Sequence, residues 1–288
     1  MAAVRGRGYG IALITIATVL WSTAGLFVRM LDLDVWTTQA GRAFFGALSL
    51  VIVIAVDKGR AAPRTILGIG RPGWIAVPLS ALSMITYVAA VKLTTVANVL
   101  IVYATLPFFA AAMAWIAMRE QAGRRTLIAS GVALAGIVVM AGSAVGPDDI
   151  AGVALALAMT AAFAVLVVMA RRYPLLAMGS VNLWAAILCC AICWMISPQV
   201  VPPARDLVIL AVFGIVTTGL AYLLFLTGAR YIRSGEAGLI AVLDVILGPL
   251  WVWLAFNEQP GIAAIVGGAI VLSALVWYLT RRDAVQAS

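Results

Sequence analysis

The chain has 288 residues, 65% of them hydrophobic and 10% charged, with a mean hydropathy of +1.12. A soluble domain is about 45–50% apolar and about 25% charged, so a water-soluble globular enzyme is excluded. Nineteen Lys and Arg face 11 Asp and Glu, with no histidine. The bases lie between apolar runs, which points to a membrane and not to nucleic acid, and His-liganded zinc, Ser-His-Asp and Cys-His chemistry are all ruled out.

Ten apolar runs follow one another: Tyr9–Val28, Trp36–Val56, Trp74–Val91, Thr95–Met118, Leu127–Ser143, Ile150–Ala170, Val181–Ser197, Leu207–Ala229, Ala237–Phe256 and Ile262–Thr280. A membrane helix needs about 20 mostly apolar residues, so the sequence predicts an all-α polytopic membrane protein of ten spans. The first run follows Arg5 and Arg7 but exceeds the about 7–15 apolar residues of a signal peptide, and reads as a span. Leu93-Thr94-Thr95 and Tyr231-Ile232-Arg233 are barely long enough to turn, which makes spans three and four, and eight and nine, antiparallel neighbours.

With both termini in the cytoplasm, 15 bases fall inside: Arg5, Arg7, Lys58, Arg60, Arg64, Arg71, Arg119, Arg124, Arg125, Arg171, Arg172, Arg230, Arg233, Arg281 and Arg282. Only Arg29, Lys92 and Arg205 fall outside, together with Asp32, Asp34, Asp148, Asp149, Asp206 and Glu258. Basic residues accumulate on cytoplasmic loops, so this orientation is the expected one.

The chain also repeats itself. Trp115-Ile116-Ala117-Met118-Arg119-Glu120-Gln121 returns 138 positions later as Trp253-Leu254-Ala255-Phe256-Asn257-Glu258-Gln259. Ile128-Ala129-Ser130-Gly131 is similar to Ile265-Val266-Gly267-Gly268. These nearly co-linear matches predict two five-helix units, residues 1–146 and 147–288. An odd number of spans inverts the second copy across the membrane, an arrangement that secondary transporters use to build a substrate site at the midplane.

Several patterns carry no chemistry. Gly68-Ile69-Gly70-Arg71-Pro72-Gly73 has dinucleotide-loop spacing but neither a preceding strand nor a βαβ unit. No GxxxxGK[ST] loop occurs. Cys189, Cys190 and Cys193 lack nearby acids or histidines and read as packing residues. Asp148-Asp149 reads as solvated loop charge or a helix cap. Neither a cofactor nor a metal is expected, and the chain is not expected to be an enzyme.

Arg42 and Asp244 stand out because charge inside a bilayer is costly and usually faces a cavity or a partner. Asp244 lies about eight residues into span nine, roughly 12 Å deep at 1.5 Å per residue. It should face the protein interior, as a structural group or as a substrate or proton contact. Arg42 reads either as snorkelling to the outer headgroups or as part of a polar face with Thr38 and Gln39. The two differ in depth by roughly 9 Å.

Tyr9, Trp36, Trp74, Tyr173, Tyr231, Trp277 and Tyr278 lie near run ends and read as interfacial anchors. Trp21, Tyr87, Tyr103, Phe163, Trp184, Tyr222 and Trp251 lie deeper, as packing bulk or cavity wall. Ser80, Ser83 and Tyr87 share a face of span three; Tyr103 and Pro107 share one of span four; Asp244, Gly248 and Trp251 share one of span nine. A polar stripe on a membrane helix must meet protein or water, so these faces are candidate cavity walls. Pro78, Pro107 and Pro249 fall within spans as candidate bends, and Pro107 and Pro249 are candidate hinges. Gly131, Ala135 and Gly136, then Gly267, Gly268 and Ser273, allow close packing of spans five and ten, within the chain or across a dimer.

The run from Pro107 through Trp115 to Arg119-Glu120, followed by Gly131 and Gly136, resembles the EamA type of the drug/metabolite transporter superfamily. So does Arg42 within Gly41-Arg42-Ala43-Phe44-Phe45, and Leu20-Trp21-Ser22-Thr23 is similar to the start of that superfamily's aromatic amino acid exporters. The resemblance covers the whole chain. It implies export of amino acids or related metabolites across the bacterial inner membrane by alternating access, with spans one to four and six to nine around a central cavity. Trp21, Ser83, Tyr87, Tyr103, Phe163, Tyr222 and Trp251 would line the substrate site, Arg42 meeting a carboxylate and Asp244 an ammonium group. An exporter of lipophilic cations or other toxic compounds is the alternative. The expected partners are a small-molecule substrate and the lipid bilayer, the chain being a monomer or weak homodimer.

Overall fold

The computed structural model describes residues 2–94, 99, 102–120, 123–141, 150–198, 201–256 and 262–280. Among them there is no strand. The chain opens with α1 (Ala2–Ser22) and α2 (Ala24–Met30), parted at Thr23, whose Oγ1 donates to the Leu20 carbonyl at 2.6 Å. Asp34 then caps α3 (Val35–Lys58), its carboxylate accepting from the N–H groups of Trp36 and Thr37 at 2.9 and 3.0 Å, which satisfies two donors that every helix start leaves open. Gly59, at φ +51°, ends α3 before the short α4 (Ala62–Leu67). α5 (Gly70–Leu93) carries Pro78 inside it, as expected.

Residues 99, 102 and 103 are helical and are followed by a turn at Ala104 and Thr105. Then come α6 (Leu106–Met118), α7 (Arg124–Ala141), α8 (Ile150–Arg172) and α9 (Met178–Ile196). The next span combines α10 (Ala204–Phe213), a π-helical segment (Gly214–Ala221) and α11 (Tyr222–Gly228). Last are α12 (Ser234–Ala241), α13 (Leu243–Phe256) and α14 (Ile262–Thr280).

The protein is an all-α polytopic membrane protein. Seven segments of 19 to 33 residues among the described ones are long and apolar enough to cross a bilayer: Gly6–Val28, Val35–Leu67, Gly70–Ala90, Ile150–Arg172, Met178–Ile196, Ala204–Gly228 and Ser234–Ala255. Leu106–Met118 and Val266–Tyr278 are shorter apolar helices.

Two of the expected spans are broken, though not at the prolines. Pro107 does not sit inside a continuous helix: it lies in the first turn of α6, where its missing N–H has no helical partner to lose. The break precedes it, at the turn where Thr105 Oγ1 and N–H both return to the Val102 carbonyl at 2.5 and 3.0 Å. Span nine breaks at Val242 between α12 and α13, while the helix continues through position 249. Ala104 and Val242 stand at the same 138-residue spacing as Glu120 and Glu258. The aspartates 148 and 149 and Glu258 lie outside the described residues.

Packing follows the small residues. α3 lies along α9 and the π-helical segment, α5 along α8 and α9, and α7 along α14. A Cβ on Gly136 would stand 2.8 Å from the Gly267 carbonyl, so the expected close packing of spans five and ten occurs within the chain. α12 crosses α6 where a Cβ on Gly238 would meet the Cα and N of Pro107 at 2.9 and 3.0 Å. The two broken spans therefore touch backbone to backbone. Tyr278, expected at the interface, is instead buried at 4% exposure and accepts a hydrogen bond from Thr126 Oγ1 at 3.4 Å.

Candidate functional site

The centre of the bundle is aromatic. The Trp21 ring lies 5.6 Å from Phe163, 5.8 Å from Tyr222 and 4.9 Å from Phe225, between centroids. Phe163 also meets Tyr222 and Phe225 at 6.0 and 5.4 Å. Such pairs add about 0.5–1.5 kcal/mol each beyond area burial. Phe163, Tyr222 and Phe225 are buried, whereas Trp21 is half-buried. Three expected site residues, Trp21, Phe163 and Tyr222, thus come together, joined by Phe225, which the sequence reading did not single out.

Several polar atoms in this centre are bonded. Trp21 Nε1 donates to the Thr217 carbonyl at 2.8 Å and Asn182 Nδ2 to the Thr218 carbonyl at 2.7 Å. Both carbonyls belong to the π-helical segment, where the i→i+5 ladder re-aims backbone groups relative to an α-helix. Ser80 Oγ and the Tyr222 hydroxyl share a hydrogen bond at 2.8 Å, and Ser83 Oγ donates to the Met159 carbonyl at 3.4 Å. The stripe on span three is accordingly met by protein at Ser80 and Ser83.

Tyr87, next on that face, differs. It is 38% exposed, yet it lies within electrostatic range of Asp244 and Arg42, which stand on two other spans. Tyr103 lies within range of Asp244, Tyr87 and Tyr222. Tyr87 and Tyr103, on α5 and the helical stretch at 102–103, are thus both within electrostatic range of Asp244 on α13, and Tyr87 is also within range of Arg42 on α3. On α13 the Trp251 indole N–H donates to Ser22 Oγ at 2.7 Å, tying α13 to α1. Asp244, Gly248 and Trp251 are all half-buried. The backbone at Pro249 is helical within α13.

Among the described residues Arg42 forms no ion pair. Its guanidinium carbon sits 5.2 Å from the Phe213 ring centroid, a cation–π distance. Its Nε is buried with no hydrogen-bond partner among the described residues. A buried guanidinium donor left open costs free energy that a ligand anion would recover. On neighbouring positions of α3, Thr38 and Gln39 are buried, and Gln39 Nε2 donates to Cys189 Sγ at 3.4 Å.

A separate apolar cleft opens between α3, α9 and α10. Gly41, Phe44, Phe45, Trp194 and Leu210 line it; none of the candidate residues does. Among the described residues no three His, Cys, Asp or Glu side chains converge as a metal site.

The basic end of the bundle, which carries Arg7, Arg171, Arg230 and Arg233, is held by polar contacts. Arg7 meets Glu236 at 2.6 Å and Arg171 meets Glu120 at 2.6 Å. Arg230 Nη2 donates to the Leu176 carbonyl, and burial lowers the pKa of this guanidinium from its ordinary value. Arg125 Nη2 donates to the Trp277 carbonyl at 2.6 Å.

The model of the EamA-like transporter family matches this sequence twice, over residues 8–142 and 149–280. The chain belongs to the EamA-like transporter family. An uncharacterized transporter of Archaeoglobus fulgidus is 23% identical across 93% of this chain and 95% of its own length. A solved crystal structure superimposes with a TM-score of 0.79 at 19% identity, over 93% of this chain and 95% of that one; it speaks to the fold alone. This EamA-like chain is a transporter of small molecules across a membrane.

Proposed function

We propose that this protein exports amino acids across the cytoplasmic membrane by alternating access. Ten spans form two inverted five-helix repeats, and both chain ends lie in the cytoplasm. The observation that carries this reading is the surroundings of Tyr87: a carboxylate, Asp244, and an arginine, Arg42, whose buried Nε has no partner among the described residues, both lie within electrostatic range of it. A zwitterion offers opposite charges to both groups. Arg42 receives the carboxylate and Asp244 favours the ammonium group. Trp21, Tyr87, Tyr103 and Trp251 present apolar and π surface to the side chain, which admits aromatic substrates. Ser83, Phe163 and Tyr222 support that wall from behind through the contacts described above. The breaks at Ala104 and Val242, and not Pro107 and Pro249 themselves, supply the bending points.

The deciding experiment is uptake of a panel of labelled amino acids into proteoliposomes. Uptake of one or more, competed by unlabelled substrate, supports the reading; a purified, folded protein that moves none of them overturns it. Asp244 beside Tyr103 also suits a lipophilic cation. Resistance to such cations in cells lacking their own pumps, without amino acid uptake, would favour that second reading.

A further inference from the structure

We infer that Arg7, Glu236, Glu120 and Arg171 form a closed charge gate at the basic end, and that the structure holds the transporter open toward the opposite end. The inference rests on the alternating-access reading above, but not on any particular substrate.

The decisive point is which parts of the chain each pair joins. Arg7 belongs to α1, in the first half of the chain, and Glu236 to α12, in the second. Glu120 follows α6 in the first half, and Arg171 ends α8 in the second. Both 2.6 Å contacts therefore cross from one half to the other, with the acid on opposite halves. Glu120 and Glu236 also line one small void, together with Arg233. The two pairs are adjacent parts of one cluster, and any motion that parts the halves at this end must break both.

The surroundings fit a seal. All eight residues of α12 are buried, and the helix packs on α1, α6, α7 and α8. Tyr9 and Tyr231 meet edge to face at 5.4 Å. Gly10 and Gly228 let α1 and α11 cross closely: a Cβ on either would stand 2.9–3.0 Å from the other's carbonyl. Beyond the break at Val242 the pattern changes. The main packing of α13 is on α1, α2, α12 and α14, not on α6 or α8, and Asp244, Gly248 and Trp251 are only half-buried.

The electrostatics make the gate two-state. The Glu236 side chain is 4% exposed, and a buried carboxylate is tolerable only when paired and hydrogen-bonded. It is stable against Arg7 in the closed gate, or hydrated once the halves part. Half-open arrangements, dry and without the Arg7 contact, are disfavoured.

The test uses the full-length protein in proteoliposomes of one orientation, with Cys189, Cys190 and Cys193 replaced by Ala and Gly248→Cys as reporter. The nearest atom to a Cβ at position 248 is the Ser22 carbonyl oxygen at 4.0 Å, so the reporter fits. An impermeant maleimide should label it faster from the end opposite the arginines. Glu236→Gln with Glu120→Gln should raise labelling from the basic end about tenfold, a usual scale for coupling between two states. The exchange Arg7→Glu with Glu236→Arg should restore the original asymmetry. Arg7→Gln with Arg171→Gln breaks the same contacts from side chains that are 40% and 28% exposed, should the glutamate variants fail to fold. Unchanged labelling in a folded neutralised variant overturns the gate, as does an exchange variant no better than its single changes. Labelling needs no substrate, so a chain that moves no amino acid still reports on its gate.

Discussion

The indole N–H of Trp21 is bonded to the carbonyl of Thr217, 2.8 Å away on a span far along the chain. That carbonyl lies in the π-helical segment Gly214–Ala221. One hydrogen bond thus couples an irregular helix to the aromatic residue that borders the centre of the bundle. Gly214 and Gly219 in the same segment lie against α3, near the Arg42 carbonyl and Ser49 Oγ. The π-helical segment thereby touches the backbone of Arg42 and the ring of Trp21 at once.

Trp21→Phe should separate the hydrogen bond from the ring. The phenyl group keeps contact with Phe225 but leaves the Thr217 carbonyl without this donor, which costs about 1 kcal/mol. A lower unfolding temperature with weakened substrate affinity is expected. An unchanged affinity would show that the orientation of this ring does not matter to binding.

Arg42→Ala should weaken carboxylate recognition while leaving the fold intact, because the guanidinium makes no ion pair within the described structure. Loss of a charge-assisted hydrogen bond is worth about 1.5–3 kcal/mol, roughly a ten- to hundredfold rise in KM. Arg42→Lys should recover part of this, since an ammonium keeps the charge but not the forked donors. Transport kinetics in proteoliposomes measure both, with circular dichroism to check folding.

Much of this was legible in the sequence. Hydropathy runs and base counts gave the membrane class and most helices, because burial in lipid requires about 20 apolar residues per span. Arg42 and Asp244 were legible because charge is rare there. The breaks were less so: Pro107 marks a helix start, and the turn before it owes its geometry to Thr105. The π-helical segment has no periodicity of its own, and its sequence Gly-Ile-Val-Thr-Thr-Gly-Leu-Ala reads as ordinary apolar helix. Asn182 in an apolar run was a signal for its buried bond to the Thr218 carbonyl. Phe225 was not legible, because one phenylalanine among leucines does not reveal its neighbours. The ion pairs at the basic end required three dimensions: Arg7 and Glu236 are 229 residues apart.

Asp244→Asn should impair transport of zwitterions and remove any stimulation by an imposed pH gradient. Asp244→Glu should retain part of both, if the group acts through its charge. Uptake with and without the gradient distinguishes a proton-linked carboxylate from one that only binds substrate. Full activity of Asp244→Asn under both conditions would remove this residue from the site.

Gly238→Val tests the crossing of the broken spans. Its Cβ would stand 2.9 Å from the Cα of Pro107, and backbone cannot swing aside as a side chain can. Overpacking of this kind costs about 1–3 kcal/mol, so a lower unfolding temperature and loss of transport are expected together. Gly131→Ala is the control, because a Cβ there meets nothing within 4 Å.

Arg119→Gly should act in the opposite direction. Arg119 ends α6 at φ 56° and is the sole positive-φ residue other than glycine among the described residues. A left-handed residue with a Cβ costs about 1–2 kcal/mol, and glycine takes that conformation without the penalty. The side chain is exposed and makes none of the contacts described above. The variant should therefore melt a few degrees higher, offset in part by the greater freedom of an unfolded glycine. Its neighbour Glu120 must stay within 2.6 Å of Arg171 for the gate to close, and a more relaxed cap preserves that placement. Higher stability with unchanged transport is thus the expected result. A fall in stability would mean that the Arg119 side chain contributes more than its backbone strain costs.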